Sequence, residues 1–196
     1  MARVPSLPFT GDEAADRLLA EEPLALLVGM VLDQQIPMER AFHSPFELKD
    51  RLGGTLDAPA IAAMDPDELA STFAERPALH RFPGSMAGRV QAVCRQLVEH
   101  HGGRAENVWR DVRTGEELFT RIAALPGFGK QKAQIFTALL AKRLGVTPPG
   151  WEAQAGFYAE HGCHSVADVD GPDAMARVRE YKRATKAKTA KTSGRR

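Results

Sequence analysis

The sequence predicts an all-α fold, and three observations predict it. Ala and Leu are abundant while β-branched residues are sparse, a balance that favours helix over sheet. Capping signals repeatedly precede segments whose apolar residues recur at helical intervals. The stretch from Ile122 to Leu140 reads as a helix end, a glycine hairpin and a second helix. With 196 residues, 21.4 kDa and 43% hydrophobic content, the chain is long enough for one domain or two small lobes with a packed core. No repeat of 20 to 50 residues is visible.

Residues 1 to 9 read as an irregular arm packed through Leu7 and Phe9. Thr10 and Glu13 have capping-box spacing, so a first helix should run to about Glu21. Pro23 opens a second helix that is apolar all round, as suits a helix buried at the centre of a lobe. It ends at Asp33-Gln34-Gln35-Ile36, and Pro37 at the first helical position starts a third helix toward Leu52, with a possible break at Pro45. Asp65 as N-cap, Pro66 at N1 and acids in the first turn make another strong start. The stretch 79–90 reads as a loop that turns into a helix faced by Val90, Val93, Cys94, Leu97 and Val98 and closed by Gly102 and Gly103.

Thr114 and Glu117 again have capping-box spacing, and Leu118, Ile122 and Leu125 follow the helical period, giving a helix over about 115–124. Pro126, Gly127 and Gly129 break it. The next helix carries Ala133, Phe136, Leu139, Leu140 and Leu144 on one face and ends at Gly145 as its C′ residue. A turn-rich connection leads to helical segments from Trp151 to about Glu160 and from Pro172 into the tail, the latter faced by Met175, Val178 and Tyr181.

Charge is unevenly placed. Seven basic residues and no acid lie between 182 and 196, so against an overall net charge of +1 the rest of the chain carries −6. Residues 183–196 read as a disordered basic tail, whose bland role is solubility and whose functional role is sequence-independent attraction to phosphates. No run of some 18 apolar residues and no signal-peptide stretch is present, which excludes a membrane-spanning helix and leads us to expect a cytoplasmic protein. Cys94 and Cys163 alone give no disulfide framework, and His161, Cys163 and His164 share a loop without a fourth partner, so no side-chain metal site is expected.

The hairpin aims backbone N–H groups from a helix start, with Lys130 and Lys132 beside them, and that suits an anion such as a nucleic-acid phosphate. The bland alternative is a hairpin whose glycines only make the turn. Leu125-Pro-Gly-Phe-Gly-Lys-Gln-Lys-Ala followed by an apolar helix resembles the helix-hairpin-helix of the HhH-GPD superfamily of DNA glycosylases. The Leu32-Asp-Gln-Gln-Ile junction is a second point of resemblance.

The resemblance implies two helical lobes, 23–145 carrying the helix-hairpin-helix of about 115–145, and 1–22 with 146–182, with the hairpin at the cleft between them. It implies double-stranded DNA as partner, a monomer, and contacts from Gly127, Phe128, Gly129, Lys130, Gln131, Lys132 and Arg89. Gln35 matches the side chain pushed into the duplex when a base is flipped; otherwise it is a helix cap or a buried amide. Arg89 has the alternative of a solvated helix residue, and Trp109, Trp151, Phe128 and Phe136 are stacking candidates or core. A monovalent cation at the hairpin is implied and no other cofactor. The iron–sulfur cluster of some members is excluded because two cysteines cannot supply four ligands.

The chain departs from the family where the chemistry lies. Members that also cleave the strand place a lysine nucleophile two residues past the second hairpin glycine, where this chain has Gln131. The family's aspartate, about twenty residues beyond the hairpin, has no counterpart in that window. Glu152, just past it, and Asp33, beside the wedge position, are the two candidates for the catalytic acid. Glu152 has the alternative of an acid favoured by a helix dipole. Three functions follow: a monofunctional DNA N-glycosylase, a non-catalytic binder of DNA damage or structure, and a helical protein-interaction module.

Overall fold

Pro-Leu-Ala-Leu-Leu-Val-Gly-Met-Val-Leu has no polar side chain to turn toward water, so the helix it forms, α2 (Pro23–Leu32), is buried from Leu24 to Leu32. The computed structural model describes residues 7–193, which form ten α-helices and no strand. α1 (Glu13–Glu21) and α3 (Met38–Arg51) pack on α2 and on each other. Gly29 admits the Phe42 ring, which a Cβ there would overlap, and Phe9 of the N-terminal arm meets Phe42 edge-on at 5.1 Å. α4 (Ala58–Ala63) and α5 (Pro66–Ala74) lie against α6 (Pro83–His100), which closes onto α2. Trimming a fully buried α2 residue such as Leu27 to Ala would cost about 2–5 kcal/mol.

The second half gathers around α8 (Lys130–Leu144), buried from Phe136 through Ala141. α7 (Gly115–Ala123), α9 (Trp151–Ala155) and 3-10 turns at Gly156–Ala159 and Val166–Asp168 pack against it. Trp109 stands edge-on to Phe136 at 5.7 Å, and Trp151 is packed against the same core, so both tryptophans serve packing. α10 (Pro172–Ser193) lies on the Val166–Asp168 turn through Met175 and Val178, and its Arg179 pairs with Glu39 of α3. One hydrophobic cluster runs through both halves.

The expected division groups 1–22 with 146–182, apart from 23–145. α1 packs on α2 and α3 across the single linking residue Glu22, and its start also borders α10, where Glu13 and Asp16 line one cleft with Pro172, Met175 and Arg179. The basic segment differs from expectation. Residues 183–193 continue α10 instead of forming a disordered tail, because Lys, Arg and Ala propagate a helix already nucleated and packed at its start. Residues 194–196 lie outside the described residues.

Smaller differences have local causes. Asp12, not Thr10, caps α1, its carboxylate accepting from the N–H groups of Ala14 and Ala15. Pro45 does not break α3, and the Ser44 hydroxyl beside it donates to the Arg40 carbonyl. α4, too short for a periodic signal, forms behind Asp57 as N-cap. α6 starts at Pro83, so Arg89 is already in its second turn. Gly156, at φ +56°, ends α9 after five residues. No helix among the described residues is long and apolar enough to cross a membrane.

Candidate nucleic-acid interface

The turn between α7 and α8 is held by its own backbone, the Phe128 N–H donating to the Leu125 carbonyl at 3.0 Å. Gly127 sits at φ +81°, where a side chain is strained. Gly129 does not need to be glycine for the fold. Its φ is −71°, and a Cβ built on it would meet nothing within 4 Å. The open face over Gly129 is therefore free for a molecule outside the chain.

Helix starts divide into two kinds. α1, α4, α5 and α7 are capped by Asp12, Asp57, Asp65 and Thr114 side chains. α2, α6 and α8 have no side-chain cap and no acid in the first turn; α6 and α8 also lack an acidic N-cap residue, with Phe82 and Gly129 there where α2 has Glu22, which leaves their N–H groups and positive dipole ends for an outside acceptor. The Arg89 side chain, from the second turn of α6, reaches the hairpin, its Cδ lying 3.8 Å from the position a Cβ would take on Gly127. Exposed Lys130 stands at the α8 start.

The loop after α2 reaches the same surface. Arg89 donates to the Gln34 side-chain oxygen at 3.1 Å, and the Gln34 amide donates back to the Val31 carbonyl at 2.9 Å. His80, only 3% exposed, holds the loop from the other side. Its Nδ1 accepts the Phe82 N–H at 3.0 Å, so Nε2 carries the proton and donates to the Gln34 carbonyl at 2.9 Å. Gln35 is exposed at the tip with φ +57°, a conformation that costs a non-glycine residue about 1–3 kcal/mol and is kept by the bonds on either side. Phe82, 42% exposed, stands two residues from His80.

Lys132 turns inward, not toward solvent. Its Nζ donates to the Met30 carbonyl at 2.7 Å and the Val31 carbonyl at 3.1 Å, and lies 5.8 Å from the centre of the Phe128 ring. Burial pushes its pKa down to about 8 from an ordinary 10.5; the Asp33 charge works against that shift and Arg89 adds to it. The Asp33 side chain is 14% exposed, with Lys182 of α10 at 3.8 Å from its Oδ2. Exposed Gln131 donates its amide to the Tyr158 hydroxyl at 2.7 Å.

Gly127, Gly129, Lys130, Gln131, Arg89, Gln35 and Asp33 are thus gathered around the hairpin and the α2–α3 loop. Three expectations change. Phe128 is 5% exposed and its ring lies 5.9 Å from the Phe136 ring, so its side chain belongs to the core. Lys132 serves the α2 end instead of a phosphate. Glu152 is exposed, but its neighbour Trp151 abuts Gly115 so closely that a Cβ on Gly115 would overlap the Trp151 backbone, and the Gly115 N–H donates to the Pro149 carbonyl. Gly115 opens α7, and nine residues of helix, about 13 Å of rise, separate it from the hairpin end.

Sequence reasoning missed Gln34, His80, Tyr158 and Lys182. Lys182 was legible, since it falls four residues after buried Val178 and so faces the body. Among the described residues, no group of three His, Cys, Asp or Glu side chains is placed to hold a metal ion. The His164 ring lies 4.2 Å from that of Phe157 and 5.1 Å from that of Tyr181, as a packing element.

The family model described as HhH-GPD superfamily base excision DNA repair protein matches residues 28–195. No curated protein and no solved structure matches the chain significantly.

Proposed function

We propose a monofunctional DNA N-glycosylase, starting from the fact that this chain belongs to the HhH-GPD superfamily of base excision DNA repair proteins. The observation that carries the finer reading is Gln131, an amide bonded to Tyr158 at the position where strand-cleaving members hold an amine. An amide cannot form a Schiff base, so the sugar–phosphate chain stays intact.

In this reading the uncapped start of α8 and Lys130 take a backbone phosphate. Gln35 fills the stack left by a base flipped toward Asp33. The C1′–N bond then breaks with its electron pair leaving on the base, which takes up a proton. The positive charge developing on the sugar is stabilised by the Asp33 carboxylate, and water adds to C1′ and releases its proton. The carbonyl oxygens of the 125–129 turn, of which those of Leu125 and Gly129 accept one backbone N–H each and keep a second lone pair, would hold a monovalent cation shared with the phosphate. The protein works as a monomer on double-stranded DNA in the cytoplasm, associated with the nucleoid.

A panel of duplexes carrying uracil, alkylated, oxidised or mismatched bases tests this. At least one should yield alkali-labile abasic sites without strand breaks in neutral buffer. The pairing of Asp33 with Lys182 favours a second reading, a damage binder with its acid neutralised. Tight binding to an abasic analogue with no base release from any duplex would establish that one instead.

A further inference from the structure

We infer that Lys132 is a positioning residue, whose ammonium fastens the first turn of α8 to the C-terminal carbonyls of α2 and so sets the loop of Asp33, Gln34 and Gln35 against the hairpin. What that loop does to DNA rests on the function proposed above; the fastening does not.

The last carbonyls of a helix have no partner within it, and a cation is the favoured group there. Lys132 supplies that cation from 101 and 102 residues away in sequence, to Val31 and Met30. The Val31 carbonyl is shared. It accepts from Lys132 and from the Gln34 amide, whose oxygen in turn accepts from Arg89. One chain of hydrogen bonds thus joins α8, α2 and α6, the three elements that bear the candidate interface. Gln35, in its left-handed conformation, is the next residue along.

The groups facing Lys132 are Asp33 from the end of α2, Arg89 from α6, and Lys182 from α10, the last acting through Asp33. His80 bonds the same loop as a neutral imidazole. Burial works against the ammonium and brings its pKa to about 8. A methionine would fill the space without that cost, so packing does not account for a lysine here. Nor does a phosphate contact, because the ammonium is directed at two carbonyls inside the protein.

The experiment compares wild type, Lys132→Met and Lys132→Arg. Hydrogen exchange is followed in residues 31–36, and binding is measured to a duplex holding a tetrahydrofuran abasic analogue beside 2-aminopurine and to the same duplex undamaged. Lys132→Met should raise exchange in 31–36 by about tenfold or more while the buried centre of α8 keeps its protection. It should also lose about tenfold of the preference for the abasic duplex and the 2-aminopurine response, with undamaged-duplex affinity and salt slope unchanged. Wild-type preference should fall above about pH 8 as the ammonium is lost, whereas Lys132→Arg, always charged, should hold a flat profile. Unchanged exchange in Lys132→Met overturns the inference. So does an equal loss on both duplexes with a salt slope smaller by about 0.9, the mark of a direct bond to phosphate. Should Lys132→Met fail to fold, a Lys132→Arg profile that falls like wild type overturns it as well. A wild type without preference for the abasic duplex defeats the proposed function, and the exchange measurement still decides the role of Lys132.

Discussion

The Gln131 side-chain amide donates to the Tyr158 hydroxyl at 2.7 Å, which brings residues 156–159 back alongside the first turn of α8. A polar, uncharged pair therefore occupies the hairpin's outer edge. Borohydride trapping with any duplex the protein processes should yield no covalent adduct, and Gln131→Lys, which restores an amine there, should yield one. A robust wild-type adduct would contradict the assignment.

The two hairpin glycines should separate stability from binding. Gly127→Val places a β-branched residue at φ +81° and should cost about 1–2 kcal/mol or more, seen as a lower melting temperature. Gly129→Val has an ordinary φ and open space around its Cβ, so its melting temperature should stay near wild type while duplex affinity drops about tenfold or more. A Gly129→Val protein with wild-type affinity would remove the hairpin from the DNA interface.

Deleting residues 183–196 removes six of the seven clustered basic residues. Ala174, Met175 and Val178, the buried residues of α10 among those described, precede the cut, so the fold should survive. Affinity should fall alike for all duplexes, with the log–log salt slope smaller by about 0.9 for each phosphate that is no longer neutralised. An unchanged slope would show that this helix end does not touch DNA.

Lys132 makes a signed prediction for stability. Its pKa is about 8 in the folded protein against an ordinary 10.5, so between these values the unfolded chain binds more protons and stability rises with pH. Wild type should therefore gain on Lys132→Met from pH 8 to 10.5, by at most about 3 kcal/mol. A difference between the two proteins that is flat or falling over this range would mean that the ammonium is not desolvated.

Much of this is legible from the chain, and the failures share a cause. α2 follows from an unbroken apolar run, and the hairpin from Pro126 and Gly127 between two periodic segments. The inward turn of Lys132 is legible too, since it lies on the helix face of Phe136 and Leu139, but its pairing with Lys130 suggests a basic patch instead. Counting residues past Gly129 selects Glu152 only if the chain retraces α8 at once. The close approach of Trp151 to Gly115 holds that segment at the far end of α7, and Tyr158 is the residue that returns. The bonds of His80 to Gln34 and of Lys132 to Met30 join residues 46 and 102 apart, and no local pattern encodes such pairs.

Asp33 is the carboxylate beside the hairpin, flanked by Lys132 and Lys182, and single-turnover base release by Asp33→Asn tests the proposed chemistry most directly. On the best duplex of the panel, this change keeps the side chain's shape and removes its charge. DNA binding should stay within about threefold of wild type while base release slows by about a hundredfold or more, the scale of removing one electrostatic interaction from the transition state. Glu152→Gln, changed at the remote end of α7, should release base at the wild-type rate. Full activity in Asp33→Asn together with loss in Glu152→Gln would contradict this assignment and return the acid to α9.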